Sequence, residues 1–228
     1  MGLISEIQWT NATWNPWQGC TKVSPACTNC YMFADLKRYG RDPSVVVRSK
    51  PPTFRLPLKK RRGGAFAIEP GWKVFTCSWS DWFHKSADAW RDEAWAIVRQ
   101  RSDVIFQVLT KRPERIAECL PADWGEGYPN VWLGVTAEDQ PRADERIPIL
   151  RDIPAAVRFL SCEPLLGPIQ LWKSVPCGYY CDESHGHVDH DFCGENHNFD
   201  GSRWWVIVGG EAGHNSRPMH PRLGSRSP

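Results

Sequence analysis

The sequence lacks long apolar runs and carries almost no net charge. Its longest apolar stretches, such as residues 204–208, are far too short to cross a bilayer. The 28 Lys and Arg residues nearly balance the 26 Asp and Glu residues, so nucleic-acid binding would need a local basic patch. A signal-peptide pattern is also missing, and nine cysteines without one favour a reducing compartment. We therefore expect a cytoplasmic protein without membrane spans.

Short runs rich in β-branched and aromatic residues alternate with helical patterns, which predicts an α/β fold with parallel strands. The predicted strands are residues 74–77, 104–109, 131–135, 157–160 and 204–208. The predicted helices are residues 30–39, 87–101, 113–120 and 142–151, and the second has Ser86 as its cap and a stripe of Trp90, Ala94, Ile97 and Val98. Right-handed crossovers would arrange them as a partial or complete parallel β/α barrel within a single domain, residues 1–228.

Three cysteines, Cys20, Cys27 and Cys30, share one short loop near the amino terminus. Three thiolates are too few for a closed four-coordinate metal site, but they suffice for a [4Fe-4S] cluster that keeps one iron open. Three alternatives remain: a zinc site completed by a ligand such as Cys77 or His84, a disulfide with a spare thiol, and three ordinary buried thiols.

Polar residues follow five of the predicted strands, where β/α-barrel enzymes carry their chemistry. Loops are polar in any case, so the pattern alone does not separate a site from a surface. Pro164 would hold the Glu163 carboxylate rigidly, and Gly209 and Gly210 would let a ligand approach the backbone closely. The cofactor-binding candidates are Ser161, Glu163, Gly209, Gly210 and Glu211. The substrate-face candidates are Ser80, Asp81, Lys111, Arg112 and Glu138.

Two segments interrupt the β/α pattern. Residues 37–62 contain ten Lys or Arg residues and a single acid, Asp42, with four prolines. This composition predicts an extended basic arm that contacts nucleic-acid phosphates, or alternatively a solvated loop.

The second segment, residues 174–202, contains six acids and no Lys or Arg. Its thiols and imidazoles suggest a second metal site, with zinc as the metal, although their spacing matches no standard zinc finger. The residues concerned are Cys177, Cys181, His185, His187, His190, Cys193 and His197. An acidic flap over the site is the alternative.

Several motifs along nearly the whole chain give it a resemblance to the phage-associated three-cysteine-motif family. They are Trp14-Asn15-Pro16 with the cysteine loop, residues 80–84, 109–113, 130–135, 158–168 and 206–211. That family resembles radical S-adenosylmethionine enzymes in its cysteine loop and barrel-like layout. The usual spacing in those enzymes is Cys-x3-Cys-x2-Cys, whereas six residues separate Cys20 from Cys27 here, and Asn29 replaces the aromatic residue often found before the last cysteine.

The resemblance implies a radical S-adenosylmethionine-like enzyme whose open iron binds the cofactor, acting on an unknown substrate. The basic arm makes a nucleic acid or nucleotide the leading choice. The resemblance also implies a truncated carboxyl terminus, because the relatives continue past residues 217–221. The alternative is a zinc-containing, nucleic-acid-binding phage accessory protein without catalysis, which works through a partner protein.

Overall fold

The computed structural model describes residues 4–171, 204–211 and 216–217. Six parallel strands form the main sheet: β1 (Ala12–Trp14), β4 (Lys73–Thr76), β5 (Ile105–Thr110), β6 (Val131–Thr136), β7 (Val157–Cys162) and β8 (Trp204–Val208). Strands β2 (Trp17–Gln18) and β3 (Val47–Arg48) form a small antiparallel pair. The helices are α1 (Tyr31–Arg38), α2 (Pro51–Phe54), α3 (Asp88–Gln100), α4 (Ile116–Cys119) and α5 (Gln140–Arg151).

The order of the main sheet follows the chain: β1, β4, β5, β6, β7, β8, with every neighbouring pair parallel. The predicted α/β fold with parallel pairing is therefore confirmed. All six carboxyl ends lie at one edge of the sheet, so the loops that follow them converge there. Among the described residues, β1 pairs only with β4 and β8 only with β7, so the sheet has two open edges.

The sheet is strongly curved. The Lys73 ammonium of β4 lies 5.6 Å from the ring centre of Trp132 on β6 and 5.4 Å from that of Trp205 on β8. In a flat sheet β4 and β8 would stand about 19 Å apart, at about 4.8 Å per strand. Side chains that stand perpendicular to a flat sheet do not bridge that gap. Strands β4 and β8 therefore curl toward each other around a shared concave face.

Alternation along the strands gives the sheet two faces with different contents. The outer face carries aliphatic residues and rings that pack under the helices; Trp14 and Phe106, for example, lie 5.6 Å apart between ring centres. The concave face carries Phe75, Gln107, Trp132, Phe159 and Trp205. Gly134 faces Phe159 at such close range that a Cβ there would lie 2.6 Å from the ring. The absence of a side chain on Gly134 therefore makes room for this ring.

Helix α3 has its predicted apolar stripe but not its predicted cap. Ser86 lies inside a short 3-10 helix, Lys85–Ala87, and that helix is capped by the His84 side chain, so the prediction of Ser86 as cap is wrong. Ala94, Ile97 and Val98 of the stripe are buried, and the half-buried Trp90 packs against the same core. The stripe also includes Trp95, which is fully buried. The predicted helix 113–120 consists of a 3-10 turn, Pro113–Arg115, followed by α4.

The basic segment 37–62 is folded rather than continuously extended, because it contains the end of α1, β3 and α2. Its later part reaches the amino edge of the sheet, where Arg101, between α3 and β5, donates hydrogen bonds to the carbonyls of Pro57 and Ile68. Within the described ranges, no helix is both long and apolar enough to cross a bilayer. The Cys/His-rich segment 174–202 and residues 218–228 lie outside the described residues.

Candidate functional site

The three-cysteine loop lies in the first crossover of the sheet, after β1 and before α1. Gly19 begins it with φ +95°, and a Cβ there would overlap the carbonyl oxygen of Val45. The Gly19 amide donates to the Trp79 carbonyl (2.9 Å), and the Cys20 amide donates to the Pro43 carbonyl (2.8 Å). The loop is therefore fixed on one side by the segment after β4 and on the other by residues 43–45.

A cavity of about 430 Å³ opens beside this loop at the carboxyl edge of the sheet. Its volume lies within the range of roughly 300–1,000 Å³ that is typical of small-molecule sites. The predicted residues that line it are Cys20, Cys27, Cys30, Ser80, Asp81, Lys111, Arg112, Ser161, Glu163, Gly210 and Glu211. The structure thus brings the three cysteines and most of the predicted polar residues to one place.

Asp81 and Arg112 hold the cysteine loop against the end of β5. Arg112 Nη1 donates to Asp81 Oδ2 (3.1 Å). Arg112 Nη2 donates to the carbonyl and the hydroxyl of Thr21, both at 2.8 Å. Asp81 also accepts hydrogen bonds from the Thr110 hydroxyl and from the amides of Phe83 and Lys111. Because their polar atoms are engaged with the protein, these two predicted substrate-face residues position the loop.

Lys111 differs from Asp81 and Arg112 in the partners of its charged group. Its ammonium donates to the Thr136 hydroxyl (3.1 Å) inside the cavity. No salt bridge to it is found among the described residues. Its positive charge lowers the pKa values of Cys30 and Glu163, although burial has the larger and opposite effect on both groups. Lys111 is therefore a cation placed to meet a negatively charged ligand group.

Glu163 is half-buried at the end of β7, and burial raises its pKa. The Trp9 side chain and the Lys111 ammonium act in the opposite direction on this pKa. Gly209, which does not line the cavity, packs against Glu163 so closely that a Cβ would lie 2.9 Å from the carboxyl carbon. The predicted role of Gly209 in close approach thus applies to Glu163, while the backbone of Gly210 faces the cavity.

Glu211, three residues after the end of β8, links that strand to the cysteine loop. Its carboxylate accepts hydrogen bonds from Asn29 (3.0 Å) and from the side chain and amide of Arg217. Arg217 also donates to the Pro25 carbonyl (2.9 Å). Hydrogen bonds from Arg217 lower the pKa of Glu211 to about 2. Glu211 therefore anchors the loop in this structure.

Glu138 lies outside the cavity lining, contrary to its prediction as a substrate-face residue. It is fully buried, and its Oε2 atom pairs with Arg146 at 3.0 Å. Arg146 also donates to the Thr136 carbonyl (2.9 Å). This pair braces the turn between β6 and α5, below the cavity wall.

Two of the three cysteines feel nearby positive charge, Cys20 from Arg112 and Cys30 from Lys111. Burial raises the pKa of Cys20 to about 11, although Arg112, whose Nη1 lies 3.6 Å from its sulfur, acts in the opposite direction. Burial also raises the pKa of Cys30. A bound metal would deprotonate such thiols outright, so the donor set suits an iron–sulfur cluster. Among the described residues, no three Cys, His, Asp or Glu side chains are already arranged around a metal-sized point.

Cys77 and His84, the predicted fourth ligands of a zinc site, differ in their surroundings. Cys77 is buried, adopts φ +56° and lines the same cavity as the three cysteines. His84 Nδ1 accepts from the Ser86 amide, so its Nε2 carries the hydrogen and donates to the Thr21 hydroxyl. Both ring nitrogens of His84 are thus engaged, whereas Cys77 remains a candidate ligand.

Sequence reasoning missed three contributors to the site. Trp9 and Tyr31 line the cavity, and the Asn15 side chain holds the turn after β4 through the Trp79 amide (2.8 Å) and the Ser78 hydroxyl (2.9 Å). Tyr31 follows Cys30 directly and could have been found from that position. Trp9 lies outside every motif quoted from the sequence. It reaches the site because the sheet is curved, which brings its ring to 6.3 Å from that of Trp205 on β8.

Of three comparisons with known proteins, one found a match, and it is to a family of unknown function. No curated protein and no solved structure matches the chain. The profile of one family, described as protein of unknown function (DUF5131), matches residues 4–225, and the chain belongs to that family.

Proposed function

We propose that this chain is an iron–sulfur enzyme of the radical S-adenosylmethionine type, built on a partial β/α barrel. Cys20, Cys27 and Cys30 would hold a [4Fe-4S] cluster. The observation that carries the proposal is their position in the crossover after the first strand, lining one cavity with polar groups from the later strand ends. When bound, the cluster and S-adenosylmethionine supply a carbon radical that removes hydrogen from a substrate.

The chain's own residues support this use of the cavity. Lys111 offers a positive charge for a carboxylate, while Glu163 and Ser161 offer acceptors for an amine or hydroxyl. The Gly210 backbone faces the same space. Arg112 donates a hydrogen bond to the Cys20 sulfur, which stabilises negative charge there.

The test is anaerobic purification followed by reconstitution with iron and sulfide. We expect about four iron atoms and four sulfides per chain, brown colour, and an electron paramagnetic resonance signal after reduction that changes when S-adenosylmethionine is added. Single replacement of Cys20, Cys27 or Cys30 by serine should abolish the cluster. Cys119→Ser removes a buried thiol outside the cavity and should not.

A zinc-containing nucleic-acid-binding module is the second candidate, favoured by Cys77, which adds a fourth thiol to the same cavity. Zinc without iron after anaerobic purification, retained in Cys119→Ser and lost in Cys77→Ser, would establish it in place of the enzyme. Iron retained in Cys77→Ser would exclude it.

A further inference from the structure

We infer that the rim of the cavity binds single-stranded nucleic acid and presents one nucleotide to the cavity. The inference rests on the proposed function for the chemistry that follows, but the binding itself depends only on the rim. We use "rim" for Lys37, Arg38, Tyr39, Arg41 and Trp79.

The rim supplies positive charge beside the cavity mouth. Lys37 and Arg38 end helix α1, whose first residues line the cavity, and both are exposed. Neither forms a salt bridge with a described acidic residue. Arg41 is fixed by a hydrogen bond to Gln18, two residues before Cys20. Asp42, itself engaged with Ser44, is the single acid between residues 37 and 62. A phosphate backbone would find several cations here that form no salt bridge with a described acidic residue.

The rim also supplies aromatic rings in the right place. Tyr39 is 66 % exposed, and its ring centre lies 6.0 Å from that of Trp79. Trp79 is only partly exposed and lines the cavity, so the pair continues from the surface at Tyr39 into the cavity wall. Tyr31, 41 % exposed, also lines the cavity. Base stacking on exposed rings beside a basic groove is the usual way in which proteins bind single strands.

The size of the cavity selects a single strand over a duplex. A volume of about 430 Å³ accepts a group of small-molecule size. A base inside a duplex is stacked and paired, so it would have to be extruded before reaching such a cavity. A single strand can lay its phosphates along the rim while one base leaves the stack at little cost. The joint presence of stacking rings and cations favours a nucleic acid over an acidic protein surface.

The same basic segment contains its own control. Lys59 and Arg62 are also exposed, but they lie in residues 57–68, which pack at the amino edge of the sheet through Arg101. The double variants Lys37→Glu/Arg38→Glu and Lys59→Glu/Arg62→Glu therefore change the same residue types and the same charge at opposite ends of the molecule.

The experiment measures fluorescence anisotropy of a labelled oligonucleotide of about 16 nucleotides with the full chain, at several salt concentrations. We expect Lys37→Glu/Arg38→Glu to weaken binding and to reduce the slope of log K against log salt by about 1.4, as expected for two lost phosphate contacts. Tyr39→Ala should weaken binding about fivefold or more. Lys59→Glu/Arg62→Glu should bind nearly as the unchanged chain does, and circular dichroism should show all variants folded.

Equal weakening by both double variants, or duplex binding as tight as single-strand binding, would overturn the inference. So would binding to vesicles of anionic lipid without oligonucleotide binding. A chain that holds an iron–sulfur cluster but ignores the oligonucleotide refutes this inference and leaves the proposed function standing. Rim-dependent binding by a chain that cannot hold a cluster supports this inference and refutes the proposed function.

Discussion

Arg112 and Asp81 form a buried ion pair, with 3.1 Å between Nη1 and Oδ2. Their side chains are only 9 % and 6 % exposed. The pair lies between the end of β5 and the cysteine loop, since the same guanidinium contacts Thr21 and the Cys20 sulfur. The position of the first cysteine therefore depends on two residues that are 31 positions apart in the chain.

Replacing Arg112 by alanine should lower the free energy of unfolding by about 3–5 kcal/mol, because a buried carboxylate loses its charge partner. Urea unfolding of the metal-free chain measures this. Arg99→Ala removes an exposed pair with Asp123 and should cost about 1 kcal/mol or less. Equal losses in the two variants would mean that the Arg112 pair contributes little.

Gly134→Ala should destabilise the sheet by about 1–3 kcal/mol, because the new methyl group overlaps the Phe159 ring. Thermal unfolding measures it. Gly167→Ala is the control, since a Cβ there would lie 3.6 Å from its nearest neighbour, the Cβ of Asp139, which is an ordinary van der Waals distance. Adding Phe159→Leu to Gly134→Ala should recover part of the loss, and no recovery would count against this explanation.

His84 should make stability depend on pH. Burial, aided by Arg112, lowers its pKa, so the folded chain binds fewer protons at this site than the unfolded chain. Its contribution is fully present above about pH 6.5, the ordinary value, and is lost as the pH falls through the folded pKa. The stability difference between the unchanged chain and His84→Gln should therefore shrink from about pH 7.5 to about pH 5. A difference that grows on acidification would contradict this assignment.

Lys111→Met should leave the fold and the metal content nearly unchanged while weakening the binding of a ligand that places a carboxylate in the cavity. Within the described part of the chain, the ammonium donates one hydrogen bond, to the Thr136 hydroxyl, so the loss of stability should stay within about 1 kcal/mol. Isothermal titration with S-adenosylmethionine measures binding. Lys85→Met, at an exposed lysine away from this cavity, is the matched control. Unchanged binding in Lys111→Met would remove Lys111 from the site.

The strands of the sheet could be predicted because β-branched and aromatic residues concentrate in them. Residues 204–208 match β8, and the other four predicted strands lie within a few residues of the observed bounds. Strand β1 was missed, since Ala12, Thr13 and Trp14 are too few to form a recognisable pattern. Parallel order also followed from the alternation with helices, whereas the curvature depends on contacts such as Lys73 with Trp205.

The candidate site was predictable as a set of strand ends, but not in the roles of its members. The rule that parallel strands carry their polar loops at one edge brings Ser80, Lys111 and Glu163 together. It does not reveal that Glu138 is paired with Arg146, or that Glu211 is held by Arg217. Such partners are set by side-chain packing across the fold, which spacing along the chain does not encode.

The aromatic rings on the concave face bear on the order in which ligands bind in the cavity and leave it. The ring centre of Trp9 lies 4.7 Å from that of Phe75 and 6.3 Å from that of Trp205. With Trp132 against Trp205 at 5.3 Å, these rings fill the space toward the amino edge. We therefore expect a ligand to enter and leave at the carboxyl edge, where the polar lining residues lie. A polymer bound at that edge would trap whatever entered before it, so a small cofactor has to arrive first and its products leave last.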